Sequence, residues 1–190
     1  MSDDYRTMWA ELGLNLDNHD QLLEILGKVY RDIFLSQPTR PKRTEYLDFV
    51  MSEVHGLRIK ELVDGKKGGR KVVGTYCTFV PEEIVLAANG VMVGLCAGAD
   101  FAVRDVEQYL PKNLCALIKS TFGFKLGGVC PYLEVSDLLV GENTCDGKKK
   151  AYEVLKGLVS DLYVIDLPQM KNERARALLA SEYRSFMNRM

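Results

Sequence analysis

Five cysteines have the clearest chemical potential in this sequence, and three of them follow short apolar segments typical of buried strands. The segments are KVVGTYC, VMVGLC and LLVGENTC, which end at Cys77, Cys96 and Cys145. In an open α/β sheet, ligands bind outside the carboxyl ends of the strands, where the strand order switches. The sequence therefore predicts that these three cysteines lie at one edge of a sheet.

The other two cysteines have different surroundings. Asn113 is predicted to cap a helix that carries Cys115 in its first turn, and Cys145 also precedes a predicted helix. The positive end of a helix dipole favours the thiolate form that binds metals. Cys130 comes just before Pro131 and is remote from any predicted strand end, which favours a small packing residue. Packing is also the alternative role for each of the other cysteines.

The cysteine spacing limits the kinds of metal site. The five residues stand 19, 19, 15 and 15 positions apart without a CxxC pair, which argues against a zinc ribbon or a ferredoxin-type run. His19 and His55 are expected to be surface or packing residues of the N-terminal region. Thiolates without nearby histidines favour an iron–sulfur site assembled by tertiary structure. A single reactive cysteine is the alternative, although the sequence shows no base for it.

Charged groups at two predicted helix starts are further candidates. Glu82 and Glu83 could act as acid–base groups, or could simply stabilise the positive helix end. The run Lys148–Lys150 could meet anionic groups such as phosphates, or form a solvated face. The glycines form neither a GxGxxG motif nor a P-loop, which gives little support to nucleotide binding.

Composition indicates an ordinary globular protein. The 190 residues are 47% hydrophobic and 27% charged, enough for one sizeable core. The 25 basic and 26 acidic residues suggest neither nucleic-acid binding nor a membrane surface, and the apolar runs are too short to span a bilayer. The first residues do not have the pattern of a secretory signal, so a cytoplasmic location with reduced cysteines is expected.

The elements that must position these residues fall into two parts. Residues 1–69 are predicted to form a helical segment, and residues 70–190 an α/β domain with a parallel sheet flanked by helices. The helical tail runs to Met190 without a stop signal, so the chain is expected to be the N-terminal part of a longer protein. Helical spacing is found near Trp9, over 20–36 and over 46–62, with a turn at 65–69; strands are predicted at 71–76, 91–95, 138–141 and 162–165, and helices at 81–88, 113–122, 146–158 and from 172 onward.

Three segments also carry a resemblance to a known family: YCTFVPEE at 76–83, NLCALIKSTFGF at 113–124 and NTCDGKKKAYE at 143–153. Together with GLCAGAD and LPQMK, they make the chain similar to the 2-hydroxyacyl-CoA dehydratase and benzoyl-CoA reductase family. Within that family the chain looks like the double-cubane-cluster reductase branch. The resemblance covers nearly the whole chain, although family members are about twice as long.

The resemblance implies flavodoxin-like, Rossmann-like α/β domains that hold oxygen-sensitive iron–sulfur clusters of the [4Fe-4S] or double-cubane type. By motif, Cys77, Cys115 and Cys145 are the expected ligands, and Cys96 is a secondary candidate. The resemblance also implies an ATP-hydrolysing activator protein as electron donor, a homo- or heterodimer, and an acyl-CoA or other small-molecule substrate. The expected function is an anaerobic iron–sulfur reductase or dehydratase. A non-catalytic truncated or assembly subunit is the alternative.

Overall fold

A parallel four-stranded sheet forms the centre of the computed structural model, which describes residues 3–95, 98–99 and 104–190. The strands pair in the order second, first, third, fourth, so the sheet grows in opposite directions from its first strand. Flavodoxin-like folds begin with this order, and the predicted α/β class is confirmed. The strands are β1 (Lys71–Thr75), β2 (Gly90–Gly94), β3 (Leu138–Glu142) and β4 (Leu162–Ile165).

Helices precede the sheet and then alternate with its strands. None of the helices that the structure describes has the length and apolar character needed to cross a membrane. The helices are α1 (Asp3–Glu11), α2 (Leu16–Val29) with a π-helical continuation (Tyr30–Leu35), α3 (Glu45–Ser52), α4 (Leu57–Lys67), α5 (Glu82–Ala87), a 3₁₀ helix (Arg104–Gln108), α6 (Ala116–Leu126), α7 (Pro131–Val135), α8 (Asp146–Leu155) and α9 (Glu173–Arg189).

The two inner strands are buried almost throughout, as expected when helices cover both faces of a parallel sheet. Gly74 of β1 pairs with Leu139 of β3. A Cβ atom at Gly74 would lie 2.5 Å from Leu95 Cδ1 and 2.6 Å from Ser136 Oγ, so only glycine fits there. One face of the sheet packs against α4, α6, α7 and α8, and the other packs against α5 and α9.

The N-terminal helices differ from their predicted bounds. The helix predicted over 20–36 already begins at Leu16, because the Asn15 side chain caps it by accepting from Asn18 N at 3.1 Å. The pattern over 46–62 is two helices, α3 and α4, which separate before Gly56. A Cβ at Gly56 would lie 2.5 Å from the Tyr5 ring, so glycine lets α1 approach this break. The turn predicted at 65–69 is wrong in its first half, since α4 continues to Lys67.

The elements of the sheet region agree more closely with prediction. The strands are each within one residue of their predicted bounds, and β4 matches at both ends. Among the elements in the described part of the chain, the 3₁₀ helix and α7 were not predicted. The predicted cap of α6 was wrong, because the helix begins at Ala116 with Cys115 itself at the cap position instead of Asn113.

Candidate functional site

Cys77 lies just beyond β1, at the switch point between β1 and β3. Sheet pairing continues as far as the preceding residue, because Tyr76 N donates to Val140 O at 2.9 Å. The backbone then turns sharply, and Cys77 has a φ of 74°. This left-handed conformation is costly for a residue with a Cβ, and residues held in it cluster at functional sites. The fold therefore holds this thiol in a strained position.

The strain at Cys77 leads to a prediction about two substitutions that remove the same sulfur. Cys77→Gly should leave the chain more stable than Cys77→Ala by about 1 kcal/mol, because glycine adopts a positive φ without the Cβ clash. Urea unfolding of the two variants would measure the difference. If Cys77→Ala were equally stable or more stable, the left-handed conformation would not be a source of strain.

Cys115 and Cys145 stand at the N-cap positions of α6 and α8, and those two helices pack against each other. Gly147 makes the close approach possible. A Cβ there would lie 2.6 Å from Leu114 Cδ1, and the Cys145 sulfur lies 3.6 Å from the same point. Cys115 is exposed, whereas Cys145 and Cys77 are half-buried. Cys77 and Cys145 thus follow the carboxyl ends of β1 and β3, and Cys115 precedes the first turn of α6.

A small pocket of about 110 Å³ opens beside Cys77, between β1, α6 and α8. Most of its lining is apolar or aromatic, and Lys148 brings the one ammonium group among the residues that line it. The lining comprises Tyr76, Cys77, Leu117, Ile118, Thr121, Phe122, Lys148, Ala151, Tyr152 and Leu155. A charged group in such a wall needs a specific partner, because burying an ion without one is costly.

Glu142 at the end of β3 is the partner of Lys148. Its side chain is 0% exposed and accepts from the Lys148 ammonium. Thr144 donates to the same carboxylate through its hydroxyl and, at 2.7 Å, through its backbone N–H. Burial raises the pKa of Glu142, but these donors outweigh burial and the pKa is lowered overall. Burial likewise opposes the charge on Lys148, yet Glu142 and then Cys77 raise its pKa overall.

Glu142 was missed in the sequence, and Lys148 was recognised only as one member of a charged run. The structure divides that run: Lys148 enters the pocket, while Lys149 and Lys150 are exposed and pair with Asp146 and Glu153 on the surface. The available signal was an acidic residue ending an otherwise apolar strand, six positions before the first lysine.

Asn143 braces the loop that carries Cys145. Its side-chain carbonyl accepts from Leu167 N at 2.8 Å, and its amide donates to Asp166. Leu167 and Asp166 follow β4, so the carboxyl-end loops of two neighbouring strands are tied together. This bracing limits how far the segment between Glu142 and Cys145 can move.

The remaining candidates lie elsewhere. Cys96 lies outside the described residues. Burial raises the pKa of the Cys130 thiol to about 11, and Cys130 packs against the core at the start of α7. Glu82 and Glu83 are exposed in the first turn of α5 and are not among the residues that line the Cys77 pocket.

The two histidines are packing residues, which is one of the two roles expected for them. His19 is 0% exposed, and its Nε2 lies 2.9 Å from Nδ1 of His55, which is half-buried. Both belong to the N-terminal helical region. Neither lines the Cys77 pocket.

Thiol groups are the kind of ligand that iron–sulfur clusters use. Within the described ranges, no three His, Cys, Asp or Glu residues form a group that could hold one ion. Cluster ligands bind different iron atoms, so they need not gather around one point, and their soft sulfur atoms suit iron. Three free thiols at one edge of the sheet fit that donor set in chemical type.

Comparison with known proteins gives a consistent picture. The family described as 2-hydroxyglutaryl-CoA dehydratase, D-component, matches residues 77–190, a span that begins at Cys77. The chain is 46% identical over 132 residues to a protein of Escherichia coli (strain K12) named "Putative dehydratase subunit YjiM". The matched stretch covers 69% of this chain and 34% of the relative. It is 29% identical over 119 residues to the (R)-phenyllactyl-CoA dehydratase beta subunit of Clostridium sporogenes, which covers 61% and 31%.

The chain thus spans about a third of the length of these two relatives. The matched family segment contains β2, β3 and β4 with their helices, and it includes the free thiols and the Glu142–Lys148 pair. More than half of the chain lies within it. The chain therefore belongs to the 2-hydroxyglutaryl-CoA dehydratase D-component family.

Proposed function

We propose that this chain supplies cluster-binding thiolates to an iron–sulfur redox enzyme of the 2-hydroxyacyl-CoA dehydratase family. Cys77, Cys115 and Cys145 would be the ligands, with Cys96 as a secondary candidate. When bound, a [4Fe-4S] or double-cubane cluster supplies single low-potential electrons for reductive chemistry. In this proposal, residues 70–190 form the cluster-binding domain and residues 1–69 a helical segment that packs against it.

One observation carries the proposal: Cys77 and Cys145 follow neighbouring strands at the carboxyl edge of the sheet, beside its switch point. Cys77 follows β1, and Cys145 follows the neighbouring strand β3. Cys115 caps α6, which packs against α8, the helix that Cys145 caps. The carboxyl edge beside a switch point is the position where open α/β sheets bind their ligands.

The chain's own residues have defined tasks in this proposal. The apolar side chains of α6 and α8 beside Cys77 give one side of the thiol a largely apolar surrounding. The left-handed backbone at Cys77 and the bracing by Asn143 constrain the main chain at two of the three proposed ligands. A preformed set of donors lowers the ordering cost of binding.

The partners and substrate follow from the family and are part of the proposal. An ATP-dependent activator protein would donate electrons, and the substrate would be an acyl-CoA thioester or another small molecule. The relatives are named as subunits, which supports assembly into a homo- or heterodimer. A cytoplasmic, anaerobic setting would keep the thiols reduced.

Both relatives are named as subunits, which supports a second candidate function. In this alternative the chain is a non-catalytic assembly subunit that keeps the fold without a working cluster. The two candidates differ in iron binding by the purified chain.

Anaerobic reconstitution with iron and sulfide tests the first candidate. We expect the chain to take up iron and acid-labile sulfide and to show cluster absorption. Each of Cys77→Ala, Cys115→Ala and Cys145→Ala should lose most of the iron, because each removes one thiolate ligand. Cys130→Ala is the matched control and should keep it, since its thiol is buried against the core. A wild-type chain that stays free of iron would reject the proposal and favour the assembly subunit.

A further inference from the structure

The carboxylate of Glu142 occupies a buried position, where a charge is energetically costly. It ends a strand in which every residue is buried, and its own side chain is 0% exposed. Removing a carboxylate from water costs several kcal/mol unless partners replace the lost hydration. A neutral residue would complete β3 without that cost. The charge therefore points to a requirement beyond the packing of the sheet.

The Glu142 carboxylate accepts hydrogen bonds from Thr144 and Lys148. Thr144 satisfies Oε2, and the Lys148 ammonium is bound to Oε1. The rigid β3 backbone thereby fixes the end of a long lysine side chain that would otherwise move freely. The Lys148 side chain is 23% exposed, compared with 47% for its neighbour Lys149.

The Lys148 ammonium lies on the same side of the sheet edge as Cys77. Lys148 and Cys77 line the same small pocket. The rest of that lining is mostly apolar side chains of α6 and α8, and an apolar surrounding screens an ammonium charge less than bulk water does. A cation held there interacts with an anionic sulfur more strongly than a solvated lysine would.

We propose that Lys148 is a positioning residue for the cluster site, held by Glu142 so that its charge and N–H donors stabilise the Cys77 sulfur and the reduced state of a cluster bound there. The inference rests on the proposed function, because it needs a cluster at Cys77. Reduction adds negative charge to a cluster. A fixed cation and hydrogen bonds to sulfur make reduction more favourable.

The test compares the reduction midpoint of the reconstituted chain with that of Lys148→Met, by redox titration followed by EPR. We expect the variant to be harder to reduce, with the ratio of reduced to oxidised cluster at fixed solution potential falling about tenfold, which is about 59 mV for one electron. Lys148→Arg should restore most of the shift. Lys149→Met removes the same charge one residue away, at the exposed surface, and should leave the midpoint unchanged.

A double variant guards against failure to fold, because Lys148→Met alone leaves a buried carboxylate without its cation. Glu142→Gln with Lys148→Met removes both charges and should keep the fold, while the midpoint still shifts in the same direction. A cluster that forms in all variants with an unchanged midpoint overturns this inference alone. A wild-type chain without iron overturns the proposed function as well, so the two failures are distinguishable.

Discussion

Phe186→Ala should lower the free energy of unfolding by about 4 kcal/mol, the largest loss we expect from a single substitution of an apolar residue in α9. Phe186 is 0% exposed and stacks on Tyr163 of β4 with ring centroids 5.7 Å apart. It belongs to the apolar cluster on the sheet face that also contains Val73 and Ile165. Truncating a fully buried phenylalanine loses its transfer energy and leaves a cavity.

Met187 is a matched control for this prediction. It follows Phe186 in the same helix but is 58% exposed. Met187→Ala should change the free energy of unfolding by less than about 0.5 kcal/mol, because an exposed side chain loses little on truncation. Urea unfolding followed by circular dichroism would measure both variants. Equal losses would mean that α9 does not dock on the sheet through Phe186.

Acidification from about pH 7 to about pH 5 should lower the free energy of unfolding by about 3 kcal/mol, because of the buried histidine pair. Burial lowers the pKa of His19 to about 4, and burial together with the charge of His19 lowers the pKa of His55 to about 4. Both folded-state values lie below the ordinary value of 6.5. The unfolded chain therefore binds more protons between pH 6.5 and pH 4, and stability falls as the pH falls through this window.

Trp9 reports directly on this region. It is the single tryptophan of the chain. Its ring meets the His19 ring edge-on, with the ring centroids 4.4 Å apart. Its indole N–H donates to the backbone oxygen of His55 at 2.7 Å. Urea unfolding at several pH values can be followed by its fluorescence. In the double variant His19→Gln, His55→Gln, the loss between pH 7 and pH 5 should largely disappear. If the pH dependence persisted, other groups would be responsible for the acid sensitivity.

Local sequence patterns predict the sheet region well, because its strands are short apolar runs closed by glycine, proline or charged residues. The bounds of β4 match at both ends for this reason. Helix limits in the N-terminal region depend on tertiary contacts instead. The break at Gly56 exists because α1 packs against it, and helical spacing continues across the break.

The candidate site was also predictable from the sequence only in part. Its thiol-bearing edge is predictable, because a cysteine directly after a buried strand must lie at a carboxyl end. The Glu142–Lys148 pair was not predictable, since an acidic residue at a strand end and a lysine in a charged run are each common on surfaces. The packing of α8 against β3 and α6 brings the two together, with Glu142 buried and Lys148 partly buried. The histidine pair joins residues 36 positions apart and was missed for a similar reason.

Burial of Glu142 beside Lys148 also constrains how this segment can evolve. Losing the lysine leaves an unpaired buried carboxylate, and losing the glutamate frees the ammonium in a largely apolar pocket, so either single change is disfavoured. A lineage that abandons the pair must pass through one of these states or change both positions together. Among related sequences, we expect the two positions to be either both charged or both neutral.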